Sequence, residues 1–230
     1  EEALKWKEQG FTAVKMGWGG FELPQSACVK LVEACRNAIG DDMDLMLDVG
    51  FIPSSDFPVT AASRLLLINE IRQFNPYWIE EAVYPDDYEG YKMLAERTDV
   101  RIAGGENETT RYGFKQLIED CGIDILQPDI TRCGGLTEAK RIGTMALAHN
   151  TTVIPHAWSS GIVIAASLHF IASQPNSDLL EYCVWDTPIR RELLKSDFVL
   201  KDGYVEVPMG PGLGIELDDA AIEKYRCDKF

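Results

Sequence analysis

The sequence predicts a parallel α/β fold and, within that class, a (β/α)8-type barrel. Short runs of β-forming residues alternate with amphipathic helical runs along the chain, and this alternation with short links favours parallel strands joined by right-handed crossovers. An open doubly wound sheet would show the same alternation, but no G-x-G-x-x-G motif follows a strand. A polar residue ends each predicted strand, which is typical of the mouth of a barrel.

The individual elements follow from residue type and spacing. Runs rich in β-branched and apolar residues predict seven strands, at residues 13–16, 44–48, 77–83, 101–105, 125–128, 152–155 and 179–183. Apolar residues at helical spacing predict six helices between them, at residues 25–39, 59–74, 88–97, 112–121, 136–149 and 162–173. Residues 1–9 resemble the end of another helix, and Gly40 is expected to terminate the helix before it.

Composition excludes several classes of protein. The 230 residues are 46% hydrophobic and 26% charged, which is typical of a globular protein with a substantial core. Asp and Glu number 37 against 22 Lys and Arg, a net charge of −15. We therefore expect binding neither to nucleic acid nor to an anionic membrane. The six cysteines form no CxxC motif, so we expect reduced thiols in a cytoplasmic protein, and we also expect a homo-oligomer.

The polar residues at the strand ends are the main functional signal. One such residue is usually a helix cap or a solvated loop residue. Seven in succession, each about one βα unit after the last, would crowd a single mouth if the strands close into a barrel. In chain order they are Lys15, Asp48, Glu80, Glu106, Asp129, His156 and Glu181.

Three neighbouring carboxylates in this series predict a metal site. Asp48, Glu80 and Glu106 would repel one another unless a cation lay between them. Hard oxygen ligands without Cys or His favour Mg²⁺. The net negative charge does not exclude a small anionic substrate, because a bound metal reverses the local field.

The remaining four strand-end residues predict acid–base chemistry. Asp129 and His156 end neighbouring strands, and a carboxylate beside an imidazole fixes its tautomer and favours its protonated form. A buried ion pair without a catalytic role is the alternative interpretation. Lys15 could meet a substrate carboxylate, and Glu181 could hydrogen-bond a developing enolate.

Six short segments resemble the enolase superfamily, mandelate racemase/muconate lactonizing enzyme subgroup. They are residues 10–15 (GFTAVK), 47–50 (LDVG), 78–81 (WIEE), 105–107 (GEN), 127–129 (QPD) followed by Gly134-Gly135 and His156, and 180–182 (LEY). The resemblance implies an enolase-like (β/α)7β barrel that binds Mg²⁺ through Asp48, Glu80 and Glu106. It further implies abstraction of the proton α to a carboxylate, and stabilisation of the resulting enediolate.

The sequence departs from the family pattern at four places. Lys15-Met16-Gly17 replaces the usual Lys-x-Lys, so the second lysine, a base, is missing, and Arg132 stands where a lysine is often seen. Residues 51–58 are expected to form an added loop near the mouth of the barrel. The family's N-terminal capping domain and first strand have no counterpart, so residues 1–202 are expected to be an incomplete barrel domain. Residues 203–230 are expected to return toward the missing cap.

The missing lysine favours a dehydratase. Racemisation usually needs a base on each face of the α-carbon, whereas elimination of water can use His156 first as base and then as acid. We therefore predict a Mg²⁺-dependent hydro-lyase acting on a small anionic sugar acid. A racemase, epimerase or cycloisomerase of the same superfamily remains the first alternative. A non-catalytic barrel scaffold is the second, although a scaffold has no need of clustered carboxylates.

Overall fold

The structure is a computed structural model that describes residues 1–17, 21–50 and 59–227. These residues form two compact units. The first unit comprises Glu1–Gly105 and Tyr112–Leu126, and the second comprises Glu106–Arg111 and the chain from Gln127 onward. Among the described residues, no helix is both long and apolar enough to cross a membrane.

The first unit is a parallel sheet with helices between its strands. The strands, adjacent in chain order, are β1 (Ala13–Gly17), β2 (Asp44–Asp48), β3 (Trp78–Glu80), β4 (Ile102–Gly104) and β5 (Ile125–Leu126). The helices are α1 (Glu2–Glu8), α2 (Gln25–Ile39), α3 (Ala61–Ile71), α4 (Tyr88–Arg97) and α5 (Thr110–Glu119), whose first two residues belong to the second unit. A short 3-10 helix, Arg72–Phe74, extends α3.

Apolar residues of strands and helices form the core of this unit. Leu45, Leu47, Ile79 and Ile102 on the strands are completely buried. The helices contribute buried side chains at helical spacing, among them Val32, Ile68, Leu94 and Phe114. Burial of both faces of the sheet explains why the strands are continuous apolar runs rather than alternating ones.

Local capping fixes where the helices begin and end. Gly40 terminates α2 with φ = 73°, a conformation that glycine adopts at little energetic expense. Thr60 and Ser63 form a reciprocal capping box at the start of α3, each backbone N–H donating to the other's hydroxyl over 3.1 Å. Asp87 accepts the Gly90 N–H at the start of α4, 2.9 Å away.

The second unit is mainly helical. It contains α6 (Gly135–Ala148), β6 (Thr152–Val153), α7 (Gly161–Ser173), α8 (Pro188–Glu192), an antiparallel pair formed by β7 (Leu200–Lys201) and β8 (Tyr204–Val205), and α9 (Asp219–Tyr225). Its core lies where α6 packs on α7. Ile142 of α6 and Val163 and Phe170 of α7 are buried there.

Most predicted elements form, but the seventh strand does not. The structure assigns no strand to residues 179–183, and in this segment the Glu181 side chain, rather than a strand ladder, accepts the Ala157 N–H. β-forming residue types do not make a strand without a partner ladder. The hairpin of β7 and β8 and the short helices α8 and α9 were not predicted. The predicted loop at residues 51–58 lies outside the described residues, and the domain boundary at residue 202 stays a prediction.

Gly17 provides a test of the pairing between β1 and β2. A Cβ at this position would overlap the Asp48 carbonyl oxygen. We expect Gly17→Ala to lower the free energy of unfolding by about 3 kcal/mol, because backbone cannot move aside as a side chain can. Urea unfolding of the purified protein measures the loss.

Gly122→Ala is the matched control for this substitution. Gly122 has φ = 66°, and a Cβ added there would meet no atom within 4 Å, so only backbone strain, about 1 kcal/mol, is expected. Equal losses in the two variants would show that the close approach of β1 to Asp48 does not limit stability.

Candidate active site

Lys15, Asp48 and Glu80 form a cluster in the first unit. Register pairs Gly17 with Asp48 and Asp48 with Glu80, so the last residues of three parallel strands lie side by side. Lys15, two residues before Gly17, donates from Nζ to Glu80 Oε1 over 2.5 Å and lies 3.9 Å from Asp48 Oδ2. This arrangement follows from parallel pairing alone, because such strands end at the same edge of the sheet.

Glu80 is a buried carboxylate with hydrogen-bond donors on both oxygens. Its relative exposure is 1%. Lys15 donates to Oε1, and the indole N–H of Trp78 donates to Oε2 over 2.9 Å. Trp78 and Glu80 stand two residues apart on the same strand and therefore share a face. Burial of a charge is tolerated only with such partners, so this carboxylate is fixed in place and not merely exposed at a loop.

Asp129 and His156 form a buried dyad in the second unit. Asp129 Oδ2 lies 2.8 Å from His156 Nδ1, and the two residues are only 3% and 6% exposed. The second carboxylate oxygen accepts both the backbone N–H of Thr131 over 2.7 Å and its hydroxyl over 2.5 Å. In the neutral imidazole, a proton held on Nδ1 by Asp129 makes Nε2 the nitrogen that carries the basic lone pair.

Hydrogen bonding keeps Asp129 ionised. Burial raises the pKa of its carboxyl, but the hydrogen bonds from His156 and Thr131 outweigh burial and hold that pKa below its usual range. A permanently charged partner then stabilises positive charge on the imidazole. The dyad can therefore take up a proton at Nε2 and return it.

Glu106 and Glu181 both lie beside this dyad. Glu106 Oε2 is 3.3 Å from His156 Nε2, and its other oxygen is 3.4 Å from Arg132 Nη1. Glu181 Oε2 accepts the N–H of Ala157, the residue after His156, over 2.7 Å. Glu106 thus contacts the imidazole itself, and Glu181 binds the backbone of the next residue.

The structure therefore gathers the seven predicted residues into two clusters, each within its own unit. Lys15, Asp48 and Glu80 form one, and Glu106, Asp129, His156 and Glu181 form the other. Over residues 1–17, 21–50 and 59–227 no group of three or more His, Cys, Asp or Glu is arranged as a metal site. The assignment of Asp48, Glu80 and Glu106 to Mg²⁺ stays a prediction. The donor chemistry fits that ion, because Asp48 and Glu80 offer hard carboxylate oxygens at paired strand ends.

Sequence reasoning missed residues that support the second cluster. Thr131 follows Asp129 by two residues, a spacing that signals an Asx turn and could have been noticed. The pairing of Arg111 with Glu138 could not have been noticed in the sequence, because the two residues are 27 positions apart. Arg111 donates to both Glu138 oxygens over 2.7 Å, and its backbone N–H donates over 2.9 Å. Hydrogen bonds from the Arg111 side chain and backbone lower the pKa of Glu138 to about 2.

This pair ties the Glu106 segment to the start of α6. Thr110 adds a second link, since its N–H donates to the Cys133 carbonyl over 3.0 Å. Thr110 adopts φ = 55° to do so, a strained value for a β-branched residue. The segment that carries Glu106 is therefore fastened to the one that carries Asp129.

The sequence profile described as enolase C-terminal domain-like matches residues 1–221. The chain belongs to this family. Its resemblance to the mandelate racemase/muconate lactonizing enzyme subgroup is also confirmed. A solved mandelate racemase/muconate lactonizing enzyme from Sulfitobacter sp. aligns with a TM-score of 0.85 and 32% identity over 99% of this chain and 58% of its own. The predicted α/β barrel fold class is confirmed with it.

Two relatives of this enolase-family chain have named reactions. D-galactarolactone cycloisomerase of Agrobacterium fabrum is 33% identical over 98% of this chain and 59% of its own length. D-galactonate dehydratase of Ralstonia pickettii is 35% identical over 85% of this chain and 51% of its own length. The chain thus spans between half and three fifths of these relatives.

Replacing Thr131 should change the stability of the protein in a pH-dependent way. Because Asp129 has a lowered pKa in the folded state, its stabilisation is present above the unfolded pKa of about 3.9 and is lost as pH falls through the folded value. Thr131→Val removes one donor and should raise the folded pKa. We expect it to lower the free energy of unfolding by about 1.5–3 kcal/mol at pH 7, with the difference from wild type shrinking below about pH 4.

Chemical unfolding between pH 2.5 and pH 7 measures this difference, and Thr144→Val is the control. Thr144 donates its hydroxyl to the Lys140 carbonyl within α6 over 2.9 Å, with no carboxylate involved. Its effect should not vary with pH. A Thr131→Val loss that is the same at every pH would refute the coupling to Asp129.

Proposed function

We propose that this enolase-family chain carries the catalytic residues of an acid-sugar dehydratase, a hydro-lyase acting on a small anionic sugar acid. The observation that carries the proposal is the buried Asp129–His156 dyad, in which Asp129 holds Nδ1 and so fixes the orientation of the ring. The D-galactonate dehydratase relative supports the same reaction class.

His156 acts twice in this proposal. Nε2 first removes the proton α to the substrate carboxylate, and the resulting imidazolium then protonates the departing β-hydroxyl. Asp129 keeps the ring oriented and stabilises its positive charge between the two steps. A single proton-transfer group on one face of the α-carbon suffices for elimination.

The strand that carries Lys15 offers no second base. Met16 and Gly17 follow it, so no ionisable side chain succeeds Lys15 within β1. Lys15 would instead donate to the substrate carboxylate as negative charge builds on it. Glu181, when protonated, would donate to the same developing charge.

Asp48, Glu80 and Glu106 would hold Mg²⁺. When bound, this ion supplies Lewis-acid stabilisation of negative charge on the substrate carboxylate. Lys15, which lies against Glu80, would move from neutralising that carboxylate to contacting the substrate.

A cycloisomerase is the second candidate. The D-galactarolactone cycloisomerase relative covers 98% of this chain, a larger share than the dehydratase relative does. This reaction also begins with abstraction of a proton next to a carbonyl carbon, so His156 and Asp129 would keep their roles. Incubating the whole protein with a panel of sugar acids and sugar lactones separates the two: a dehydratase yields a keto acid from the acid, and a cycloisomerase an isomer from the lactone.

Metal removal is the first test of the proposal. Treatment with EDTA should abolish turnover and added Mg²⁺ should restore it, because the negative charge would otherwise be stabilised by Lys15 and Glu181 without a Lewis acid. Glu80→Gln should weaken Mg²⁺ binding in calorimetry by at least tenfold, about 1.4 kcal/mol.

Glu216→Gln is the control for a lost carboxylate, since Glu216 is an exposed residue that pairs with the exposed Lys195 at 3.2 Å. It should leave Mg²⁺ binding unchanged. Full turnover of a metal-free preparation would rule the metal proposal out.

Replacement of His156 is the second test. His156→Asn should lower kcat by about 10²–10⁴-fold, the usual contribution of a general acid–base group, while Mg²⁺ still binds. In D₂O the wild-type protein should exchange the α-proton of a substrate analogue on one face only, as proton NMR would show.

His169→Asn is the matched control, because His169 Nε2 contacts a backbone carbonyl, that of Leu213, at 3.1 Å. Its kcat should stay within a factor of two or so of wild type. If His156→Asn exchanged the α-proton at the wild-type rate, another residue would be the base, and two-base racemisation would become the better interpretation.

A further inference from the structure

Arg64 is a buried arginine that has no part in the proposed reaction. It lies in the first turns of α3 and is 9% exposed. Its Nε donates to the Ala82 carbonyl over 3.0 Å, and its Nη2 donates to the Val49 carbonyl over 2.8 Å. One guanidinium therefore joins two loops that are 33 residues apart in sequence.

Both loops begin at predicted metal ligands. Val49 directly follows Asp48, the last residue of β2, and Ala82 follows Glu80, the last residue of β3, by two positions. A backbone hydrogen bond from the Val49 N–H to the Glu80 carbonyl, 3.1 Å long, already links the same points. Arg64 is a second link across these two strand ends.

The chain bends sharply where Arg64 holds it. Glu81, between Glu80 and Ala82, has φ = 48°, which is strained for a residue other than glycine. The Asp48 side chain turns back to accept the Gly50 N–H over 2.9 Å. Such bends persist only where surrounding contacts fix them, and Arg64 supplies a contact on each side.

Stability alone does not account for an arginine here. No carboxylate in the described part of the chain lies within ion-pair distance of its guanidinium, and burial lowers the pKa of Arg64. A buried charge without an opposite charge is costly, and an apolar side chain of similar volume is often the more stable choice. The planar fork, however, can reach two carbonyls at a fixed separation, as no apolar residue or lysine can.

We propose that Arg64 is a positioning residue that sets the spacing between Asp48 and Glu80. The inference rests on the proposed function, in which both carboxylates hold Mg²⁺. Groups that orient metal ligands without touching the metal typically change its affinity by about 10–100-fold when replaced. Arg64 acts in this way through the backbone next to each ligand.

Arg36 offers a matched control within the same unit. It is another arginine that binds backbone carbonyls, at 2.8 Å to Gly40 and Met43, 2.9 Å to Phe74 and 3.0 Å to Asn75. Met43 and Asn75 precede β2 and β3, whereas the carbonyls bound by Arg64 follow them. Arg36 thus binds the backbone just before β2 and β3, at the ends opposite to those that Arg64 binds.

The experiment compares Arg64→Met, Arg64→Lys, Arg36→Met and Arg36→Lys in the whole protein. Calorimetry with MgCl₂ measures metal affinity, and urea unfolding in EDTA measures stability. We expect Arg64→Met to weaken Mg²⁺ binding by about 10–100-fold, with Arg64→Lys intermediate because an ammonium can hold one carbonyl but not both. Both Arg36 variants should lower stability and leave Mg²⁺ affinity at the wild-type value.

Two results would overturn the inference. One is wild-type Mg²⁺ affinity in folded Arg64→Met. The other is an equal loss of affinity in Arg36→Met, which would indicate general loosening of the sheet. Should an Arg64 variant not fold, Arg64→Gln, with a neutral planar amide, replaces it in the same comparison.

Hydrogen exchange separates this inference from the proposed function. In metal-free protein, Arg64→Met should speed amide exchange in peptides covering residues 44–50 and 78–84, and Arg36→Met should not do so at residues 48–50 and 80–84. If wild type binds no Mg²⁺ but these strand ends loosen, the metal proposal fails and the positioning role stands. If exchange there is unchanged in Arg64→Met, the positioning role fails whatever the metal does.

Discussion

Parallel pairing of β1, β2 and β3 is the constraint on which the first cluster depends. The register that joins Gly17 to Asp48 and Asp48 to Glu80 leaves no freedom in where the three polar side chains emerge. Gly17 is part of that constraint, since a side chain there would strike the Asp48 carbonyl. Slippage by one residue would send each polar side chain to the other face of the sheet. The position of the cluster is thus a property of the backbone, and its chemistry is a property of the side chains.

Buried charge is the second theme of the structure. Glu80, Asp129 and Arg64 are all removed from water, and each is hydrogen-bonded to more than one partner. Buried polar groups without hydrogen-bond partners are costly, so these hydrogen bonds hold the three side chains in fixed orientations. Fixed orientation is what proton transfer and metal coordination require. A scaffold protein would gain nothing from these buried charges, which favours an enzyme.

The relatives and the geometry contribute different information. The comparisons with known proteins show membership of the enolase C-terminal domain-like family, and the named relatives include a cycloisomerase and a dehydratase. In the proposed mechanism the dyad is the one proton-transfer group, and the residues that follow Lys15 in β1, Met16 and Gly17, are not ionisable. One base favours elimination over racemisation. This chain matches only part of the length of each relative. The identity of the substrate therefore has to be tested with the whole protein.

The sequence by itself determined the fold class, six of the seven predicted strands, the six main helices, and the carboxylates Asp48 and Glu80 that end β2 and β3. It did so because helical and strand periodicity, helix-terminating glycines and polar residues at strand ends are local patterns. It failed at residues 179–183, where strand formation depends on a partner ladder. Only the tertiary structure revealed that Trp78 and Lys15 share Glu80, that Arg111 binds Glu138, and that Arg64 joins Val49 to Ala82. These contacts join side chains to groups that are distant in sequence, and no local spacing encodes which of many arginines will be buried against which carbonyl.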